Sequence, residues 1–158
     1  MEGFMEYHVH LQQVASQLTA VVRCRASRGE LATVVPQSCG EVWAFVRSAQ
    51  LPHPGRHLAL YLDGVMNIEV GVEVTQPFVG NERVVCSCTP AGQVATTTHM
   101  GPYNRLGDAH RAVHKWCADH GYVLAGPSWE VYDHWDDDPA KVRTDVYWLL
   151  QAADTSAG

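Results

Sequence analysis

Two carboxylates lie inside apolar, strand-like segments of this sequence. Asp145 occurs in the segment VRTDVYWLL, where strand alternation places it on one face with Arg143 and Tyr147. A buried carboxylate is costly unless it is paired, so Asp145 predicts either a site for a cationic ligand or a cross-strand ion pair with an arginine. Glu69 lies in a cleanly alternating segment and predicts either a second acidic wall or a solvated strand face.

Aromatic side chains would supply the walls of such a site. Rings bind flat cations by stacking and by cation–π attraction, at about 0.5–2 kcal/mol for each good contact. Ordinary core packing is the alternative explanation for the same rings. The candidates are Tyr61, Tyr132, Tyr147, Tyr103, Trp43 and Trp129.

Other site chemistries find less support in the residue pattern. His110 and His114 are four positions apart on a predicted helix, a spacing that can seat a metal, but no third ligand follows at a suitable distance. We therefore expect surface or half-buried histidines. The acidic run 136–138 lacks the glycine and the terminal glutamate of a calcium loop and predicts a solvated turn. We expect no cofactor and no metal, and we assign no catalytic residue.

Length and composition predict a single domain over residues 1–158. The net charge of −6 argues against direct nucleic-acid binding, because no basic stripe is present to contact phosphates, and it is compatible with cationic ligands. We find no signal peptide and no apolar run of the ~20 residues that a membrane span needs. The five cysteines are scattered and odd in number, which favours reduced thiols and a cytoplasmic protein without membrane association.

Hydrophobic periodicity predicts eight strands and two helices. Pro36 is expected only in a first helical turn, so the first helix is predicted to begin near Thr33. The second helix is predicted to follow the Gly101-Pro102 turn, with an apolar stripe at Leu106, Ala109, Val113 and Trp116/Cys117, and to end at Gly121. Asp63-Gly64 is a two-residue hairpin signal. The predicted strands are 5–12, 16–25, 57–63, 66–76, 83–88, 93–100, 128–135 and 142–150.

The element order ββαββ occurs twice, which predicts an internal duplication with pseudo-repeats at 5–76 and 83–151. Short matches between the halves occur in the same order as the elements. They are Gly40-Glu41 with Gly107-Asp108, Leu60-Tyr61 with Val131-Tyr132, and Ile68-Glu69-Val70 with Thr144-Asp145-Val146.

Three motifs in the second half carry a family resemblance. They are HMGPY at 99–103, GPSWEVY at 126–132 and RTDV at 143–146, with Gly107-Asp108-Ala109 and Trp116 on the intervening helix. In order and spacing they resemble the GyrI-like small-molecule-binding family. That family includes effector-binding domains of AraC- and MerR-type regulators and stand-alone gyrase-inhibitory proteins.

The resemblance implies an α+β fold of tandem duplicated βαββ-type units. Two curved antiparallel sheets would pair across a pseudo-two-fold axis, with two helices on one side and a central ligand groove. In multidrug-binding members the groove surrounds a carboxylate on the last strand with aromatic rings. That carboxylate is usually glutamate, and it falls here on Asp145, with Glu69 as its counterpart in the first half.

The resemblance leaves three functions open. The leading hypothesis is a stand-alone protein that binds hydrophobic or cationic aromatic small molecules and has no DNA-binding domain of its own. The second is a hydrolase of reactive cyclopropane-bearing natural products, in which Asp145 with Tyr132 or Tyr147 would act on water. The third is a gyrase-inhibitor-like protein or a partner of a separate regulator.

Overall fold

The computed structural model describes residues 7–62, 67–133 and 138–152. Within these ranges the chain forms an α+β fold of two α-helices and eight strands, as the sequence predicts. The strands are β1 His10–Val14, β2 Leu18–Arg25, β3 His57–Tyr61, β4 Asn67–Glu73, β5 Val84–Cys88, β6 Gly92–Met100, β7 Leu124–Tyr132 and β8 Arg143–Leu150. The helices are α1 Leu31–Ser48 and α2 Leu106–His120, and short 3₁₀ turns occupy Arg28–Glu30, Tyr103–Arg105 and Pro139–Lys141.

The predicted start of the first helix is wrong by two residues. Helix α1 begins at Leu31, so Pro36 lies inside it as the sixth residue. Proline has no N–H to donate to the carbonyl four residues earlier, which belongs to Ala32. Because Ala32 is exposed, the helix tolerates this lost bond near its beginning. Helix α2 ends as predicted, with Gly121 in the left-handed conformation at φ 78°.

Two predicted strands also shift. The strand expected at 5–12 is β1, which begins only at His10, where pairing with β6 starts at Thr96. The strand expected from residue 128 is β7, which begins at Leu124 and continues through Gly126-Pro127. A register irregularity between Leu124 and Ser128 accommodates that stretch, and Gly126 has a φ of 121°. The Asp63-Gly64 turn and the acidic residues Asp136 and Asp137 lie outside the described residues.

The eight strands form one antiparallel sheet in the order β1-β6-β8-β7-β3-β4-β2-β5. The two expected halves are therefore joined edge to edge by the central pair of β7 and β3. The outermost strand on each side comes from the other expected half: β1 of the first half pairs with β6, and β5 of the second half pairs with β2. The predicted matches occupy equivalent register positions: Tyr61 opposes Ile68, and Tyr132 opposes Thr144. The duplication itself stays a prediction.

Both helices cover the same face of the sheet, which we call the helix face. Helix α1 packs on β2, β4 and β5, and α2 packs on β6 and β8, so the central strands lie beneath the space between the helices. Tyr132 contacts the apolar clusters under both helices. Within the described residues, neither helix is long and apolar enough to cross a membrane.

Candidate functional site

The central feature of the helix face is the carboxylate of Glu130 on β7. Strand alternation directs Glu130 and Tyr132 to this face, and cross-strand pairing places β3 directly beside them. The Glu130 side chain is only 8% exposed. We refer to the space between the helices above Glu130 as the interhelical cleft, formed by Cys39, Tyr61, Tyr103, His110, Glu130, Tyr132 and Trp148.

Three side chains hydrogen-bond the Glu130 carboxylate. The hydroxyls of Tyr132 and Tyr61 donate to Oε1 at 2.6 Å and 3.2 Å. His110 Nε2 lies 2.6 Å from Oε2. In the part of the chain that the structure describes, no arginine or lysine forms an ion pair with this carboxylate. Its negative charge is therefore satisfied by hydrogen bonds without a permanent cation.

The two tyrosine hydroxyls are fixed as donors. Burial raises the pKa of Tyr61 and of Tyr132 well above the usual value, and the nearby charge of Glu130 raises both further. Both phenols therefore remain protonated across the physiological range and keep their O–H bonds directed at the carboxylate.

The cleft is lined mainly by rings that keep part of their surface accessible. Tyr61, Tyr132 and Trp148 are half-buried. The Tyr103 ring meets the Tyr132 ring edge-on at 5.6 Å and is 44% exposed. On the α1 side, burial raises the pKa of the Cys39 thiol to about 11, so this residue is a neutral apolar wall at neutral pH. A buried negative charge beneath accessible aromatic surface is suited to an organic cation that carries aromatic groups.

The carboxylate that the sequence analysis singled out first, Asp145, lies on the opposite face of the sheet from Glu130. Arg56 and Arg143 each donate to it at 3.1 Å, and the Thr98 hydroxyl donates at 2.9 Å. Of the two interpretations open from the sequence, these contacts fit an ion pair with arginine, although Arg143 is on the same strand as Asp145 and Arg56 precedes β3. Glu69 on the same face is held likewise, by Arg23 at 2.9 Å and the Ser87 hydroxyl at 2.7 Å.

The opposite face has a pocket of about 100 Å³ beside Arg56 and Glu73. Trp129, which is only 4% exposed, stacks on Tyr147 there at 5.3 Å and 15°. The β1–β2 and β5–β6 connections meet over this pocket, where the Gln17 N–H donates to Thr89 Oγ1 at 2.9 Å. Drug-sized ligands need about 300 Å³ or more, so this pocket is too small for one as it stands.

The eight residues predicted for the site thus divide between the two faces. Tyr61, Tyr132 and Tyr103 come together in the interhelical cleft. Trp43 is on the same face but packs against His57 at 5.8 Å, toward a different cluster. Asp145, Glu69, Tyr147 and Trp129 are on the opposite face.

Sequence reasoning missed Glu130, His110 and Trp148 as members of one cluster. Trp148 Nε1 donates to His110 Nδ1 at 2.9 Å, and the His114 ring lies edge-on to Trp148 at 4.3 Å. The signal that was available is the glutamate in the middle of SWEVY, since alternation puts it on the same face as Tyr132.

With this geometry in place, comparison with known proteins identifies the family. Residues 9–151 match the model of the GyrI-like small molecule binding domain, and the chain belongs to this family. No curated protein matches the sequence closely enough to count as a relative.

Solved structures of low sequence identity share the fold. The C-terminal domain of EcmrR superposes with a TM-score of 0.79 at 20% identity, over 94% of this chain and 100% of that one. EcmrR in a complex with DNA matches at 22% identity and a TM-score of 0.74, over 93% of this chain, which spans 58% of that longer chain. SAV2435 bound to tetraphenylphosphonium matches at 16% identity and a TM-score of 0.61, over 94% and 95% of the two chains.

Proposed function

We propose that the protein binds aromatic organic cations in the interhelical cleft, with Glu130 as the counter-charge. The observation that carries this proposal is a carboxylate that is 8% exposed, is held by two hydroxyls and one imidazole, and lies beneath half-buried rings. Tetraphenylphosphonium, to which SAV2435 is bound, is a cation of this class, because it carries one positive charge surrounded by aryl groups.

The partners of Glu130 determine how strongly a cationic ligand is favoured over a neutral one. A buried charge that lacks an opposite charge is unfavourable, so a ligand that brings a cation is stabilised relative to a neutral ligand of the same shape. At an effective dielectric constant of about 20, two unit charges roughly 6 Å apart attract by about 2.8 kcal/mol, or about 100-fold in Kd. Ring contacts add about 0.5–2 kcal/mol each.

Asp145 remains the sequence-based alternative for the counter-charge. Its two arginines already supply positive charge, so a cationic ligand would have to displace or oppose Arg56 and Arg143. That comparison favours Glu130. The other possibilities stay predictions from the sequence. They are hydrolysis, gyrase inhibition, a regulator partner, stand-alone function and the absence of direct nucleic-acid binding.

The test is a calorimetric titration of tetraphenylphosphonium into the wild-type protein, Glu130→Gln and Asp145→Asn. We expect Glu130→Gln to weaken binding by about 100-fold, because it removes a charge attraction of about 2.8 kcal/mol. Asp145→Asn should change Kd by less than about threefold. Triphenylphosphine oxide, a neutral ligand of similar shape, should bind more weakly to wild type and should not distinguish Glu130→Gln from it. Equal binding by wild type and Glu130→Gln, with both proteins folded, would overturn the proposal.

A further inference from the structure

The contacts of His110 determine which of its ring nitrogens carries a proton. Trp148 Nε1 lies 2.9 Å from His110 Nδ1, and an indole N–H can only donate, so Nδ1 must present its lone pair. On the other side of the ring, Nε2 lies 2.6 Å from Glu130 Oε2. An ionised carboxylate can only accept, so Nε2 carries the proton. The arrangement therefore requires the neutral Nε2–H tautomer of His110.

We propose that Trp148 is the positioning residue that keeps His110 neutral, and that this leaves Glu130 as an uncompensated negative charge for a cationic ligand. An imidazolium would have an N–H on Nδ1 as well, which would face the indole N–H donor to donor at 2.9 Å. The ligand part of this inference rests on the proposed function. The protonation part rests on the hydrogen-bond geometry of the ligand-free protein alone.

The other groups around His110 do not supply a competing charge. Tyr61 from β3 and Tyr132 from β7 are neutral donors to the same carboxylate. His114, on the same helix, has a pKa lowered mainly by burial and further by the charge that His110 would carry. The other residues of the interhelical cleft are Trp148 from β8, the neutral thiol of Cys39 from α1, and Tyr103 before α2. Arg105 and Arg111 both pair with Asp108 on α2.

A second proton on His110 would make ligand binding depend on pH. If His110 took a second proton, it would form an ion pair with Glu130, and a cationic ligand would meet a neutral pair. Proton and ligand would then compete, and where the two exclude each other the affinity falls about tenfold for each tenfold rise in proton concentration. The Trp148 hydrogen bond removes this competition in the wild-type protein.

The first test measures the tautomer directly in ligand-free protein. Two-bond proton–nitrogen correlation spectra of ¹⁵N-labelled histidine report the shift of each ring nitrogen between pH 6 and 8. We expect the pattern of a neutral ring protonated on Nε2 for His110 in wild type and in the matched control Trp116→Phe. The control removes an indole that stacks on Tyr122 at 5.4 Å, away from Glu130. In Trp148→Phe we expect His110 to become imidazolium at the acid end. A wild-type ring that is imidazolium, or protonated on Nδ1, overturns the inference.

The second test titrates tetraphenylphosphonium at pH 6, 7 and 8. Wild type and Trp116→Phe should change affinity by less than about threefold, whereas Trp148→Phe should lose about tenfold per pH unit where its ring titrates. His110→Gln can donate to Glu130 and accept from Trp148 but cannot ionise, so its affinity should not vary with pH. A flat profile for Trp148→Phe overturns the inference. Absence of binding by wild type at every pH overturns the proposed function, while the nitrogen shifts still decide the protonation state.

Discussion

Replacing Tyr132 with phenylalanine should destabilise the protein through loss of one hydrogen bond. The hydroxyl donates to Glu130 Oε1 at 2.6 Å, and the second donor, Tyr61, is farther away at 3.2 Å. A hydrogen bond to a charged group contributes about 1.5–3 kcal/mol, and the buried carboxylate cannot recover it from water. We therefore expect the free energy of unfolding to fall by about 2 kcal/mol, which for a domain of this size lowers Tm by about 4–8 °C.

Urea unfolding followed by tryptophan fluorescence measures this change. Tyr147→Phe is the matched control, because its ring stacks on Trp129 on the opposite face through its plane and not through its hydroxyl. It should lose less than about 0.5 kcal/mol. In a Glu130→Gln background the cost of Tyr132→Phe should shrink to about 1 kcal/mol, the value for a neutral pair. An equal cost in both backgrounds would refute the charge-assisted bond, and a loss in Tyr147→Phe as large as in Tyr132→Phe would refute its location.

Two further predictions concern the Cys39 thiol and a pair of glycines. Burial raises the pKa of the Cys39 thiol to about 11, so iodoacetamide should alkylate it slowly at pH 8. The rate should rise about tenfold per pH unit up to that pKa, as measured by mass spectrometry of the modified peptide. A plateau below pH 9 would contradict the raised pKa. Gly121→Ala should destabilise the protein by about 1 kcal/mol, because alanine is strained at the φ of 78° that Gly121 adopts. Gly40→Ala should stabilise it by up to about 1 kcal/mol, because Gly40 is in an exposed helical position with open space around it. The same urea experiment measures both changes, and the opposite signs would contradict these expectations.

Local pattern was enough to predict most of the elements. Alternation in β4 and the glycine after α2 are properties of consecutive residues, so the sequence shows them directly. The course of β7 through Gly126-Pro127 was not predictable in this way. A glycine-proline pair is ordinarily a break, and it lies within a strand here because pairing with β8 resumes at Ser128 after an irregularity. That pairing is a tertiary contact that the local sequence does not contain.

The division of the predicted site between two faces has a similar cause. Alternation shows which residues of one strand share a face, but it does not relate the faces of different strands. That relation depends on register, and Val131 opposes Asp145 across β7 and β8, so Glu130 and Asp145 must point to opposite sides. Of the two arginine partners of Asp145, Arg143 shares its strand face, whereas Arg56 is set by tertiary structure, since it is distant in sequence and precedes β3.

The register also explains why the cleft has a single carboxylate. The proposed alignment of Tyr61 with Tyr132 makes Ala59 the counterpart of Glu130, and these two residues are directly opposite each other in the central strand pair. A second glutamate at Ala59 would place two like charges side by side in a buried location, which forces one of them to take up a proton. At the other aligned pair, Glu69 and Asp145, the carboxylates are far apart in the sheet order, and each has an arginine. Among the described residues, the carboxylates of Glu69 and Asp145 are therefore each paired with arginine, whereas the carboxylate of Glu130, on the central strand pair, is held by hydrogen bonds from two tyrosines and by His110.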